Sequence, residues 1–197
     1  MQSKSKNRFI FQIKPSIGKE ERKALNDYML SNGWLTEYEK TIYFENKIAD
    51  FTNSKHCIAT NNGTIALTIS AIASGINSGD EVIIPNYTMI GTANSIKILG
   101  AKPVFVDVEE TSLCLDLNNV KNKISSRTKA IILVSPNGRY PKTHIQEYEK
   151  FCKKNNLVLI EDAAQSLGSI YPDGRSIGTV GLTGIYSLTP HKIISTG

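Results

Sequence analysis

Short apolar runs alternate with segments of helical apolar spacing from about residue 57 to residue 188. Apolar runs of four to six residues between turn residues predict buried strands, and apolar positions three or four apart predict amphipathic helices. The predicted strands are residues 57–60, 81–84, 103–108, 129–134, 157–160 and 184–188. The predicted helices between them are residues 65–74, 88–99, 117–124 (capped by Asp116) and 144–155. This alternation predicts an α/β domain with a mostly parallel sheet covered by helices on both faces.

Two further helices are predicted before the first strand. They cover residues 19–31, with Ser16 as the cap, and residues 38–50. Trp34, the only tryptophan, lies in a loop between them, which either packs at an edge of the core or covers a site of this chain or of a partner. We therefore expect an N-terminal arm and first helix (residues 1–36) that form one unit with the sheet domain (residues 37–197).

The predicted helix over residues 65–74 follows a turn at Asn61-Asn62-Gly63-Thr64. Its branched apolar residues recur along one side, so the pattern predicts a buried face made of Ile65, Ile69, Ile72 and Ala73.

The composition is that of an ordinary globular domain: 197 residues, 40% hydrophobic and 21% charged. The excess of 23 basic over 18 acidic residues suits an anionic small ligand, and no basic stripe with interleaved aromatics indicates nucleic-acid binding. The three cysteines form no C-x-x-C pair, which favours a reducing compartment. No apolar run approaches the ~18 residues of a membrane span and no secretory leader is visible, so we expect a cytoplasmic protein.

In parallel α/β sheets, ligands bind outside the carboxyl ends of the strands. Gly63 and Thr64 open a helix directly after a predicted strand, where free amides and the helix dipole favour an anion. The alternative for this pair is a plain turn and helix cap. Ser187 can add a hydroxyl to the same anion, and Tyr87 either stacks on a planar ligand or packs a loop.

A carboxylate and an amide follow the predicted strand at residues 157–160. Asp162 ends an apolar run where an unpaired charge is costly, so it either caps the next segment or pairs with a cationic ligand group. Gln165 follows at i+3, on the same side of a helical turn.

Lys192 lies in an apolar setting between Pro190-His191 and Ile193-Ile194. Partial desolvation lowers the pKa of a lysine and exposes its nucleophilic neutral form. An amine, a carboxylate, an amide and a hydroxyl at strand ends suit pyridoxal 5′-phosphate (PLP), whose aldehyde can form a Schiff base with the amine and whose ring nitrogen can pair with the carboxylate. His191 is interpreted as a neighbour of this site, and the histidines show no metal-ligand spacing.

Several runs together resemble the DegT/StrS family of PLP-dependent nucleotide-sugar aminotransferases. They are K-P-S-I-G-K-E-E (14–21), G-W-L-T-E (33–37), N-N-G-T-x-A-L (61–67), G-D-E-V-I-I-P-N-Y-T (79–88), G-A-K-P-V-F-V-D-V (100–108), T-K-A-I-I-L-V (128–134), I-E-D-A-A-Q-S-L-G (160–168) and S-x-x-x-x-K-x-x-x-T-G (187–197). The resemblance implies the large domain of a fold type I PLP-dependent transferase, with Lys192 bonded to the cofactor. It further implies Asp162 on the ring nitrogen, Gln165 beside the ring oxygen, Tyr87 stacked on the ring, and phosphate contacts from Gly63, Thr64 and Ser187.

The resemblance also implies a reaction and an assembly. Members of the family transfer an amino group, usually from glutamate, to a keto sugar on a nucleoside diphosphate, for polysaccharide, glycan or antibiotic synthesis. They work as homodimers in which each site is completed by the partner subunit. We therefore expect amination of a nucleotide-linked 4-keto-6-deoxy sugar (less so a 3-keto sugar) and a homodimer. The alternatives are a PLP-dependent sugar dehydratase of the same family and a non-catalytic fragment or regulator that keeps the fold.

The chain departs from the family pattern in two places. Residues 134–141 read V-S-P-N-G-R-Y-P where the family has a V-H-L-Y-G-x-P-like loop, so the sugar-facing residues differ there. The family's smaller C-terminal domain is expected to be missing after Gly197, which predicts a truncated chain that is inactive alone. In the dehydratase branch a histidine replaces the lysine, but counting five residues on from Ser187 leads to Lys192 and not to His191.

Overall fold

The computed structural model describes residues 14, 16–34 and 39–196. Its six α-helices within those residues are α1 (Lys19–Leu30), α2 (Glu39–Thr52), α3 (Gly63–Ala73), α4 (Ile90–Lys97), α5 (Leu117–Lys121) and α6 (Ile145–Lys154). The strands are β1 (Glu81–Pro85), β2 (Lys102–Val106), β3 (Thr128–Val134), β4 (Val158–Asp162) and β5 (Thr183–Ile185), and a 3-10 turn covers Pro136–Gly138.

The strands form a single parallel sheet in the order β2-β1-β3-β4-β5. After β1 the chain builds β2 on one side, then crosses back to place β3 on the other side. Such a reversal opens a crevice at the carboxyl ends of the two central strands, where ligands of doubly wound sheets bind. The crevice lies between the loop after β1 and the loop after β3.

Each face of the sheet carries its own apolar core. On one face, Val120 of α5 and Tyr148 of α6 pack with inward residues of the central strands such as Ile131. On the other face, α3 and α4 contribute small and branched side chains, among them Ala71 and Ile96. Alternating strand residues therefore supply both cores. The predicted parallel α/β fold with helices on both faces is confirmed.

The predicted buried face of α3 is wrong. Ile69 and Ile72 are 49% and 57% exposed, Ala73 is exposed and Ile65 is half-buried. The buried residues of α3 are instead Leu67, Thr68, Ser70 and Ala71. The helix packs against α4 through this smaller face, because small side chains let two helices approach closely.

The strand predicted at residues 57–60 is also wrong. These residues belong to no strand, Ile58 is 79% exposed, and the Ala59 N–H donates to Glu45 Oε1 at 2.7 Å. A strand requires a partner for its backbone groups. The nearest sheet edge is β5, and a groove of about 740 Å³ adjoins both segments. β5 itself is shorter than predicted and, within the described part of the chain, pairs only with β4.

The N-terminal helices have the predicted positions, but two details differ. The cap of α1 is Gly18 rather than Ser16, because the Gly18 N–H donates to Glu21 Oε2 at 2.6 Å. Trp34 is 81% exposed, which excludes packing at an edge of the core. The adjoining Leu35 and Thr36 lie outside the described residues. Among the residues that are described, none of the helices is both long enough and apolar enough to cross a membrane.

Candidate active site

A cavity of about 450 Å³ lies at the carboxyl ends of the strands. It contains every residue that the sequence singled out as a site candidate: Gly63, Thr64, Tyr87, Asp162, Gln165, Ser187 and Lys192. Three different strand ends supply them, together with the first turn of α3. The rule that ligands bind beyond the carboxyl ends of parallel strands therefore selected side chains that do meet in space.

Asp162 and Lys192 form the charged centre of the cavity. Asp162 is the last residue of β4 and only 6% exposed, and burial raises the pKa of its carboxyl. Hydrogen bonds from the Thr92 hydroxyl and the Ala164 N–H, and the positive charge of Lys192, oppose that rise. Burial likewise lowers the pKa of the Lys192 amine, and attraction to Asp162 opposes the fall. Each group thus stabilises the charged form of the other at a position where water does so poorly.

The first turn of α3 forms the end of the cavity suited to an anion. Asn62 caps the helix by accepting from the Ile65 N–H at 2.9 Å. The amides of Gly63 and Thr64 have no intrahelical acceptors, because they lie in the first turn of the helix. Ser187 reaches the same point from the segment after β5. A methyl group added to Gly63 would stand 3.9 Å from Ser187 Oγ, so the start of α3 and the Ser187 side chain lie next to each other.

Gly91 allows α4 to lie against this turn. A Cβ at Gly91 would stand 2.7 Å from Thr64 Oγ1, closer than side chains pack. The absence of a side chain at Gly91 therefore leaves room for the Thr64 hydroxyl beside the start of α4.

The loop after β3, which departs from the family pattern, contacts Gln165. The Asn137 N–H donates to Gln165 Oε1 at 2.8 Å, and Asn137 has a φ of 53° in the left-handed region that asparagine tolerates. This hydrogen bond identifies Oε1 as the acceptor atom, and the NH₂ group of Gln165 can donate to a ligand. Tyr87, 49% exposed, lies at the rim of the cavity.

Sequence reasoning gave no role at the site to two threonines of the cavity. Thr92 is 1% exposed and its hydroxyl donates to Asp162 Oδ2 at 2.8 Å, and Thr88 lies 2.8 Å from the same hydroxyl. Both line the cavity. The available signal was their i, i+4 spacing at the start of a predicted helix that follows a strand end.

The fold and the cavity together define a class of protein: a doubly wound α/β domain with an amine, a buried carboxylate and a helix start suited to an anion in one pocket. Comparison with known families is more specific. Residues 15–197 match the DegT/DnrJ/EryC1/StrS aminotransferase family. The chain belongs to this family, and the resemblance drawn from the sequence motifs is confirmed.

Relatives and solved structures agree with that assignment. GDP-perosamine synthase of Vibrio cholerae is 38% identical over 184 residues, which cover 93% of this chain and 49% of the relative. The aminotransferase from Psychrobacter cryohalolentis superposes with a TM-score of 0.87 at 34% identity, covering 93% of this chain and 46% of that one. GDP-4-keto-6-deoxy-D-mannose-3-dehydratase of E coli, solved with bound hydrated PLP, shares the fold at 24% identity, a TM-score of 0.85 and coverages of 93% and 48%. The chain spans about half the length of the curated relatives that it matches.

Proposed function

We propose that this chain is the cofactor-binding part of a PLP-dependent aminotransferase that transfers an amino group from glutamate to a nucleotide-linked 4-keto-6-deoxy sugar. The observation that carries the proposal is the cavity itself, where Lys192, buried Asp162, Ser187 and the start of α3 converge. Similarity to a GDP-perosamine synthase supports a nucleotide sugar as the substrate class.

The residues present fit PLP. Gly63 and Thr64 open α3 beside the Ser187 hydroxyl, which suits a phosphate group. The carboxylate of Asp162 suits a protonated ring nitrogen, and the NH₂ group of Gln165 suits a ring oxygen. Tyr87 offers an aromatic face at the rim. When bound, PLP supplies an electron sink for carbanion chemistry at the substrate.

Lys192 is the residue to which we assign proton transfer. It lines a cavity where burial lowers the pKa of its amine, so the neutral, nucleophilic form is more accessible than on a fully solvated lysine. Asp162 restrains this effect by attracting the ammonium form. The lysine can therefore both give and take a proton during turnover. His191 lines the same cavity but is exposed, and its Nε2 lies 3.4 Å from Thr189 Oγ1.

We further propose that the protein acts as a homodimer in the cytoplasm. Leu25, Met29 and Leu30 of α1 are 66%, 57% and 73% exposed, which supports an apolar surface for a second copy. Because the curated relatives are about twice as long, tests of activity require the full-length protein.

The decisive experiment is incubation of the full-length protein with PLP, glutamate and a nucleotide-linked 4-keto-6-deoxy sugar, followed by mass spectrometry. We expect the sugar to gain nitrogen. Lys192→Ala is expected to lower the rate by at least about a hundredfold, because no other amine lines the described cavity. Lys153→Ala, on the exposed surface of α6, is the matched control and keeps the wild-type rate.

The same experiment separates the alternatives. Loss of a hydroxyl without gain of nitrogen would favour a dehydratase, with His191, the cavity-lining neighbour of Lys192, as the candidate base. Failure of the wild-type protein to develop PLP absorbance that disappears on borohydride treatment would favour a non-catalytic role.

A further inference from the structure

We propose that Thr92 is a positioning residue for Asp162, and that Thr88 and Thr92 together form a hydroxyl relay that orients the carboxylate toward the cofactor. The inference deepens the proposed function and rests on it for the identity of the ligand. It concerns Thr92 in α4 and Thr88 in the loop before it, and the resemblance assigned a role at the cofactor to neither of them.

The distances and the donor capacity of each group together give the direction of the hydrogen bonds in the relay. Thr92 Oγ1 lies 2.8 Å from Asp162 Oδ2 and 2.8 Å from Thr88 Oγ1. A hydroxyl has one proton, and a carboxylate has only acceptor atoms. Thr92 therefore donates to Asp162 and accepts from Thr88. A hydrogen bond to a charged acceptor is stronger than one between neutral groups, and a hydroxyl that also accepts one is a better donor.

Burial makes this contact important. Thr92 is 1% exposed and Asp162 is 6% exposed, so water contributes little to the solvation of the carboxylate. The other donor to Asp162 is the Ala164 N–H, at the longer distance of 3.2 Å, and it binds Oδ1. Thr92 thus restrains the second oxygen, Oδ2. With both oxygens held, the carboxylate has a fixed direction in the cavity.

The relay lies on a helix and the loop before it, whereas the carboxylate that it orients lies on a strand. Asp162 ends β4, whereas Thr92 lies in the first turn of α4, after β1. The Ser95 hydroxyl donates to the Thr92 carbonyl at 2.8 Å, and Gly91 in the same turn admits Thr64. The first turn of α4 consequently binds the carboxylate through Thr92 and leaves room for Thr64 at the end of the cavity suited to an anion.

The test is the equilibrium affinity of the full-length protein for PLP, followed by absorbance as a function of pH. Thr92→Val keeps the shape of the side chain and removes the hydroxyl. We expect it to weaken PLP binding by about tenfold or more, the usual effect of losing a hydrogen bond to a charged group. Thr92→Ser keeps the hydroxyl and should retain most of the affinity. Thr52→Val is the matched control, because Thr52 is equally buried but bonds the Ile48 carbonyl in α2.

The pH dependence is the measurement that a purely structural role would not change. The titratable groups that line the cavity with Asp162 are Lys192, His191 and Tyr87. Without the Thr92 hydrogen bond the carboxyl binds protons more readily. PLP affinity should therefore fall at a higher pH on acidification in Thr92→Val than in the wild type.

The outcomes are distinguishable. Unchanged affinity and an unchanged pH midpoint in Thr92→Val would overturn the inference while leaving the proposed function intact. Absence of PLP binding by the wild-type protein would overturn both. If Thr92→Val does not fold, Thr88→Val decides: a shift in the same direction supports the relay, and wild-type behaviour refutes it.

Discussion

Burial disfavours the charged forms of both Lys192 and Asp162, and each charge lowers the free-energy cost of the other. Burial is the largest influence on both pKa values, and their mutual attraction opposes it. A ligand with a cationic ring atom can replace Lys192 as the partner of Asp162. Their mutual attraction therefore reduces the free-energy cost of both charges without excluding the cofactor we propose.

Asp162→Asn tests the electrostatic role of this carboxylate. An asparagine oxygen can still accept from the Thr92 hydroxyl, so the fold should survive. A neutral amide does not stabilise a cationic ring, and we expect turnover of the full-length protein to fall about a hundredfold or more. Normal kinetics at full PLP occupancy would restrict Asp162 to a local capping role.

The same variant has a pH-dependent effect on stability without cofactor. The pKa of Asp162 is raised in the folded state, so ionisation of this group costs stability. The cost is absent at pH values below the unfolded pKa of about 3.9 and grows as the pH rises through the folded pKa. Asp162→Asn should therefore unfold at a higher temperature than the wild type near pH 7, and the difference should narrow toward pH 4.

The sequence predicted which charged residues lie at the site but not which neighbouring side chains orient them. Asp162 and Lys192 were recognisable because an ionisable group at the end of an apolar run needs a partner. Thr92 was not recognisable, because threonine is common in helices and its bond to Asp162 joins positions 70 residues apart. Such contacts depend on how α4 packs, which local pattern does not encode.

Among the elements, β4 has a second function through Glu161, the neighbour of Asp162. The Glu161 side chain is 1% exposed and accepts four hydrogen bonds. The donors are the Tyr171 hydroxyl and the N–H groups of Gly178, Val180 and Gly181, at 2.7, 2.9, 2.5 and 2.6 Å. One carboxylate thus fixes the long connection between β4 and β5, and with it the strand that leads to Ser187 and Lys192.

Glu161→Gln should destabilise this connection. The glutamine has one acceptor oxygen in place of two and turns an NH₂ group toward backbone donors. We expect the free energy of unfolding to fall by about 2–3 kcal/mol, the cost of leaving buried donors unpaired. Chemical denaturation measures this directly. Glu147→Gln is the control, since that side chain forms only an exposed pair with Lys150 and its loss should leave stability essentially unchanged.

The two elements that were predicted wrongly lie next to each other, beside the edge strand β5. Residues 57–60 have the composition of a strand, but an extended segment forms a strand only when it is paired with a neighbour. Among the described residues, this segment is not paired with the edge strand β5. On α3, the regular spacing of the isoleucines predicts that they form the buried face. The helix instead buries Leu67, Ser70 and Ala71 against its neighbours, and Ile69 lines the groove beside β5. Both errors occur at this single surface of the molecule.

At the scale of the whole molecule, that groove combines exposed apolar side chains with a buried polar group that has no partner among the described residues. Ile58, Leu182 and Ile69 line it and are 79%, 66% and 49% exposed. The Thr183 hydroxyl is buried there without a hydrogen-bond partner among the described residues. An apolar wall next to an open strand edge is a surface on which chains associate.

The 197-residue chain is therefore expected to self-associate, and sedimentation velocity is the measurement. Replacing Leu182 and Ile69 together by glutamate puts two charges into the groove and should shift the distribution toward monomer. Ile98→Glu is the control: Ile98 is 69% exposed, comparable with Leu182, but does not line the groove, so self-association should persist. A clean monomer for the unaltered chain at micromolar concentration would contradict this prediction. It would also count against the proposed homodimer, because the exposed apolar residues of α1 would then bind no second copy either.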